Sequence, residues 1–216
     1  MTCRSLNINA FLLLFLFCFS FITAQDLKII QLPQPQTEIG KPLMQAIKLR
    51  QSTRNFDVKK IPMQELSNIL WVAYGFNRPE AGKRTVPSAM NWQEYTVYAV
   101  IEEGIYAYDA KSNSLNPVVA GDFRALCGVQ DFVKTAPLNL LYVADFAKAT
   151  RGSDDDKKLF VTADCGFIAQ NVYLYCASQG LGVVVRGMVD RAKLSGVLKL
   201  NADQKIILAQ TLGYVK

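Results

Sequence analysis

The sequence predicts an α+β domain in which helices cover one sheet. Three observations lead there. The 216 residues are 50% hydrophobic and 19% charged, which leaves room for one domain with a substantial core, or two small ones at most. Helical and strand periodicities are mixed along the chain without strict βαβ alternation. The strongest helical segment, Lys157 to Ser178, is apolar nearly all round. Val161, Cys165, Ile168, Ala169, Val172 and Cys176 line one face, while Ala163, Phe167, Leu174 and Ala177 populate the others. That is the pattern of a buried helix.

The elements follow in order. Phe11 to Ile22 is apolar except for Ser20, is preceded by Arg4, and is too short to span a bilayer as a helix. It reads as the core of a secretory signal, residues 1–24, with cleavage after Ala24. The expectation is an exported protein, periplasmic or extracellular, whose domain covers 25–216 and which carries no membrane span once the signal is removed. Gln31 to Pro42 is polar and proline-rich, an extended lead-in. Pro42 opens a short helix that ends near Arg50. Pro62 opens a second, with Met63, Leu66, Ile69, Leu70, Val72 and Ala73 at helical spacing and Gly75 stopping it. Phe76 to Thr85 is a basic loop. Tyr95 to Ile101, Gly104 to Tyr108 and Val118-Val119 are strand-like, with Lys111 to Ser114 as the turn between the last two. Leu138 to Val143 is apolar enough to be a central strand. After the long helix, Gly180-Leu181-Gly182 ends it and Val183 to Val185 forms a strand. Asp190 caps a short helix through Leu198, and Ile206 to Leu212 is the last strand.

Composition removes whole classes of chemistry. There is no His, so no Ser-His-Asp or Cys-His nucleophile and no His-ligated metal site exists. Cys3 and Cys18 leave with the signal. Cys127, Cys165 and Cys176 remain without CxxC spacing, as expected of buried free thiols. Loss of the signal lowers the net charge from +6 to +5, since Arg4 goes and no acid does. The charge is dispersed rather than striped, which gives nucleic-acid binding no support, although a mild positive excess favours anionic ligands. No GxGxxG follows a strand and no GxxxxGK[ST] is present, so the usual nucleotide-binding loops are missing.

Three constellations carry chemistry. In Arg50-Gln51-Ser52-Thr53-Arg54, an extended chain would turn residues 50, 52 and 54 to one side. Two guanidiniums and a hydroxyl on one spot suit a phosphate, although the same pattern also fits a solvated surface. In Pro87-Ser88-Ala89-Met90-Asn91-Trp92-Gln93, small residues allow close approach to a flat ligand, and Asn91 and Gln93 offer paired donors and acceptors. A polar turn leading into a strand would look the same. Asp164-Cys165-Gly166 with Gln170-Asn171 lies in the buried helix, where amides must find partners.

Together and in this order, these segments resemble the FMN-dependent nitroreductase superfamily. The resemblance rests on Arg50-x-Ser52-x-Arg54, Pro87-Ser88-Ala89-x-Asn91-x-Gln93, Asp164-x-Gly166-x-x-x-Gln170-Asn171 with Gly180-Leu181-Gly182, and Leu212-Gly213-Tyr214. It implies a central, mostly antiparallel sheet flanked by helices, in an intertwined homodimer with two FMN sites at its interface. By the resemblance, Arg50 and Ser52 bind the FMN phosphate within the Arg50–Gln51–Ser52 stretch, and Arg54 meets the ribityl chain or the pyrimidine edge. Pro87, Ser88 and Ala89 pack on the flavin from the partner chain, and Asn91, with Gln93 nearby, meets the pyrimidine edge. Gly182, Val183 and Val184 pass near flavin N5. Relatives often continue into a basic tail, whereas this chain stops at Lys216, which alone could fill that role. The implied activity is hydride transfer from NAD(P)H or another donor to a small organic acceptor by a ping-pong mechanism. An oxidative dehydrogenase of peptide azolines or small molecules, and a flavin-binding electron carrier, are the alternatives.

Overall fold

The computed structural model describes residues 27–216; the expected signal, residues 1–24, lies outside the described residues. The chain runs through β1 (Ile30–Gln31), α1 (Leu43–Leu49), α2 (Met63–Tyr74), β2 (Phe76–Arg78) and β3 (Lys83–Arg84). It continues through β4 (Tyr95–Ile101), β5 (Gly104–Asp109), β6 (Ser114–Ala120), α3 (Asp131–Thr135) and β7 (Leu138–Asp145). The last elements are α4 (Asp154–Gln179), β8 (Leu181–Arg186), α5 (Arg191–Val197) and β9 (Gln204–Tyr214). Seven strands form one sheet in the order β1-β6-β5-β4-β7-β9-β8, and every pairing in it is antiparallel.

Strand alternation builds two cores. On β7, Leu138, Leu140, Tyr142 and Ala144 face one side with Tyr95, Val97 and Ala99 of β4, beneath α2 and α4. Leu141 and Val143 face the other side with Tyr98 and Val100, beneath α3 and α5. A strand buried on both faces needs apolar residues at nearly every position, and Leu138 to Val143 supplies them.

Local chemistry sets the helix ends. α4 starts three residues before the expected Lys157 because Ser153 and Asp156 form a capping box. The Asp156 N–H donates to Ser153 Oγ (3.2 Å) and the Ser153 N–H to Asp156 Oδ2 (3.0 Å). Asp154, Asp155 and Asp156 also place three negative charges at the positive end of the helix dipole. Gly180, at φ 76°, closes the other end. Leu181 already belongs to β8. β5 runs to Asp109 and β6 spans Ser114–Ala120, so the four-residue turn between them lies one residue earlier than expected and the strand after it starts four residues before Val118. The basic loop folds into the β2–β3 hairpin.

One expectation needs correction. α4 is not buried all round, since Leu159 is 64% and Phe167 46% exposed and Ala163 and Gln170 lie on the same open side. α1 is similar: only Ala46 is buried, while Leu43, Met44, Ile47 and Leu49 are exposed. Among the described residues, nothing covers these faces. Cys127, Cys165 and Cys176 are buried free thiols, as expected. Burial raises the Cys127 and Cys165 thiols to about 12.

Candidate functional site

The segment after α1 leaves the helix at Arg50 in an extended conformation (φ −56°, ψ 120°) and runs beside β8, where the Thr53 N–H donates to Val183 O (2.9 Å). Alternation then separates its side chains. Arg50 and Ser52 both meet Tyr173 of α4: the Arg50 guanidinium lies 5.4 Å from the ring centroid, and Ser52 Oγ lies 2.8 Å from the phenol oxygen. Tyr173 in turn accepts the Val185 N–H (2.9 Å), so one phenol ties the motif, the helix and β8 together. Thr53 points the other way. A Cβ added at Gly182 would sit 3.2 Å from the Thr53 side chain and 3.1 Å from those of Phe56 and Val215, which would have to give way by a few tenths of an ångström.

The C-terminus returns to the same place. Phe56 and Val215 form an antiparallel bridge and the Lys216 N–H donates to Asn55 O (3.4 Å), which sets Lys216 opposite Asn55, the residue after Arg54. Gln51, Ser52, Arg54 and Lys216 are exposed and Arg50 is half-buried. Among the described residues, Arg50, Arg54 and Lys216 make no ion pair. Three cations without ion-pair partners among the described residues and one hydroxyl therefore belong to a single five-residue segment and the residue paired beside it, with Arg50 and Ser52 brought together on Tyr173. Gly182, Val183 and Val184 form the adjoining wall.

The second motif is backbone under strain. Met90, Asn91 and Gln93 all have positive φ (50°, 57° and 49°) around the short turn Ala89–Asn91. For residues other than glycine this costs about 1 kcal/mol or more apiece. Side-chain bonds hold the loop in place. The Ala89 N–H donates to Asp164 Oδ2 (2.8 Å), the Gln93 N–H to Ser88 Oγ (3.1 Å), and Lys83 Nζ to Asn91 Oδ1 (3.0 Å). Gln93 spends its amide within the chain: Oε1 accepts from Arg84 Nε (2.9 Å) and Nε2 donates to Gly82 O (2.7 Å). Pro87 and Asn91 remain exposed. Of the paired amides on α4, Asn171 binds the backbone carbonyls of Val72 and Thr85 (both 3.2 Å), whereas Gln170 is exposed rather than buried.

Beneath the loop lies a pair of carboxyls. Glu94 is fully buried with neither carboxyl oxygen hydrogen-bonded, and Asp164 is 4% exposed. Burial pushes Glu94 up to about 7, the neighbouring Asp164 adds to the rise, and Lys148 opposes it. Burial raises Asp164 as well, against the Ala89 N–H that favours its charged form. Two buried carboxyls this close titrate as a pair, and the charge on Asp164 disfavours that on Glu94. Tyr173 and Glu94 escaped sequence reasoning. A phenol two residues after Asn171 on a buried helix face, in need of a partner, was the one available signal.

The two motifs do not meet within one chain. They touch α4 at Asp164 and Tyr173, nine residues apart, hence about 14 Å along the helix axis. The cleft lined by Gln51, Thr53 and Val183 and the one lined by Pro87, Ser88, Asn91 and Gln93 share no residue.

Known proteins fit this arrangement. The model of the nitroreductase family matches residues 47–214. A provisionally named nitroreductase of Methanocaldococcus jannaschii is 33% identical over 179 residues, covering 76% of this chain and 90% of that protein. The crystal structure of a provisionally named nitroreductase from Ralstonia eutropha superposes with a TM-score of 0.82 at 41% identity, over 87% of this chain and 90% of that one. The Escherichia coli microcin synthetase complex shares the fold alone, with a TM-score of 0.67 at 18% identity over 89% of this chain and 79% of that one. From the motifs, the antiparallel sheet and these matches, the chain belongs to the nitroreductase family.

Proposed function

We propose that this chain is an exported, homodimeric FMN oxidoreductase that passes reducing equivalents from a donor such as NAD(P)H to a small organic acceptor. The observation that carries this reading is the Arg50–Arg54 segment with Lys216 paired beside it: Arg50 and Ser52 meet on one phenol, and the three cations make no ion pair among the described residues. Such a donor set fits a phosphate monoester, a group of fixed negative charge that accepts several hydrogen bonds. The flavin, when bound, supplies the hydride chemistry, which agrees with a chain that has no His.

The residues of the chain then have distinct tasks. Arg50 and Ser52, both braced by Tyr173, hold the phosphate, with Lys216 beside them. Arg54 faces the pyrimidine edge. Gly182, Val183 and Val184 line one side of the ring, where the narrow crossing at Gly182 keeps the wall flat. Pro87, Ser88 and Ala89 come from a second copy, because within one chain they hang about 14 Å away along α4. The exposed apolar faces of α1 (Leu43, Met44, Ile47) and α4 (Leu159, Phe167) are the surfaces such a dimer would bury.

The test is steady-state oxidation of NADH and NADPH by purified protein with a nitroaromatic acceptor, beside light scattering. Acceptor-dependent oxidation by a dimer supports the proposal. A flavin-loaded protein that turns over with neither donor nor acceptor favours an electron carrier instead. Export is tested separately: N-terminal sequencing of protein from its native host should begin near Gln25, and a start at Met1 would remove that part.

A further inference from the structure

The β2–β3 hairpin stands over a cleft of about 450 Å³, within the range of small-molecule sites. Its lining includes Arg78, Lys83 and Arg84 and no acidic residue. The three cations are held only by neutral groups. Arg84 donates from Nη1 to Tyr74 O (2.6 Å) and from Nε to Gln93 Oε1 (2.9 Å). Its guanidinium is stacked 4.0 Å from the Tyr74 ring centroid and 4.3 Å from that of Phe76. Lys83 rests on Asn91 Oδ1 (3.0 Å) and Arg78 on Asn77 Oδ1 (3.5 Å).

Among the described residues, no carboxylate pairs with this group. Asp109, whose charge reaches Arg84, is spent on the Lys111 N–H (2.9 Å) and Ser112 Oγ (2.7 Å) of its own turn. Glu80 lies in the hairpin turn, outside the cleft lining. Arg84 is half-buried, so its charge has lost part of its water without gaining an anion. A rigid, partly desolvated cation with two more mobile ones beside it is an anion site in want of its anion.

We propose that this cleft binds the anionic group of the acceptor, a carboxylate or a phosphate monoester, with Lys83 and Arg78 closing on it and Arg84 as the fixed charge behind them. Pro87, Ser88 and Asn91 line the same cleft, so the bound acid lies beside the loop assigned to the flavin. The assignment of the ligand as acceptor rests on the proposed flavin function; the anion site itself does not.

The experiment is isothermal titration of the full mature protein, as purified and after FMN saturation, with three matched probes: 4-nitrobenzoate, 4-nitrophenyl phosphate and neutral 4-nitrobenzamide. The anions should bind at least about tenfold more tightly than the amide at low salt, and lose that advantage as salt rises. Preference between the two anions identifies the group. Arg78→Gln and Lys83→Gln should each lower anion affinity severalfold and leave amide affinity unchanged. Arg84 is left intact because it also braces Tyr74 and Gln93. Equal affinity for acid and amide, no measurable binding of either anion, or unchanged anion binding in both variants overturns the proposal. Failure to take up FMN with anion binding intact would instead remove the flavin function.

Discussion

Glu94→Gln should stabilise the protein at alkaline pH and do little in acid. Glu94 is fully buried with both carboxyl oxygens unpaired, and burial beside Asp164 raises it from its ordinary 4.5 to about 7. For an acid raised in the folded state, the unfolded chain gives up its proton first. Native stability therefore falls as pH climbs from about 4.5 to 7, and the full cost is present above 7. A shift of about 2.5 units corresponds to about 3 kcal/mol. At pH 5 the cost is below about 1 kcal/mol, since the unfolded carboxyl has only begun to ionise preferentially. Gln has the same shape and cannot ionise. Urea unfolding of both proteins without flavin, from pH 5 to 8, reads Glu94 together with its effect on Asp164, because the remaining carboxyls titrate in both. At pH 8 the midpoint of the variant should exceed that of wild type by about 1–2 M, taking a slope of about 2 kcal/mol/M. Parallel stability curves across the range would show that burial does not raise Glu94.

Other substitutions probe the site. Arg50→Ala should weaken FMN binding by about 2–5 kcal/mol if the charge is desolvated on the phosphate, whereas Arg54→Ala should keep much of its FMN but show a lower midpoint potential, since negative charge reaches the pyrimidine edge only on reduction. Paired affinity and potential titrations check both, and normal FMN binding by Arg50→Ala would reduce the motif to a solvated loop. Tyr173→Phe removes the bonds to Ser52 and the Val185 N–H, so it should cost about 1–3 kcal/mol in urea unfolding and also lower FMN affinity; unaltered affinity would mean the phenol does not position the phosphate site. Met90→Gly relieves a left-handed residue at φ 50° that is half exposed and should raise Tm by about 1–3 °C, after the entropy lost to glycine. A lower Tm by calorimetry would show that Met90 packs in a way that outweighs its strain.

What could be read from sequence was what local chemistry decides. α2 sits between Pro62 and Gly75 as its punctuation predicts, and β7 is buried on both faces as its run, apolar but for Asn139, predicts. β1 was absorbed into the lead-in because its two residues are a strand only by pairing with Ser114 and Leu115, far along the chain. The hairpin of β2 and β3 hid in a basic loop because its register is irregular and its strands very short. The open face of α4 shows the limit of periodicity: Phe167 is apolar, but one chain's sequence does not say which partner covers it. The extended segment turned Arg50 and Ser52 to one side, as alternation requires. Their common contact with Tyr173, and the buried carboxyl pair of Glu94 and Asp164 below Ala89, arise from tertiary packing that no local pattern encodes.

The central claim is that two copies of this chain build a flavin site from the Arg50–Arg54 edge of one and the Pro87–Ala89 loop of the other. Its most direct measurement is an FMN titration of the mature apoprotein, followed by protein fluorescence and by absorbance near 450 nm, with molar mass from light scattering on the same samples. The account predicts saturation at one FMN per chain in a particle of twice the chain mass, with Arg50→Ala and Ala89→Arg each impairing uptake. A colourless protein that takes up no FMN, or a monomer that binds FMN at full stoichiometry, would contradict it.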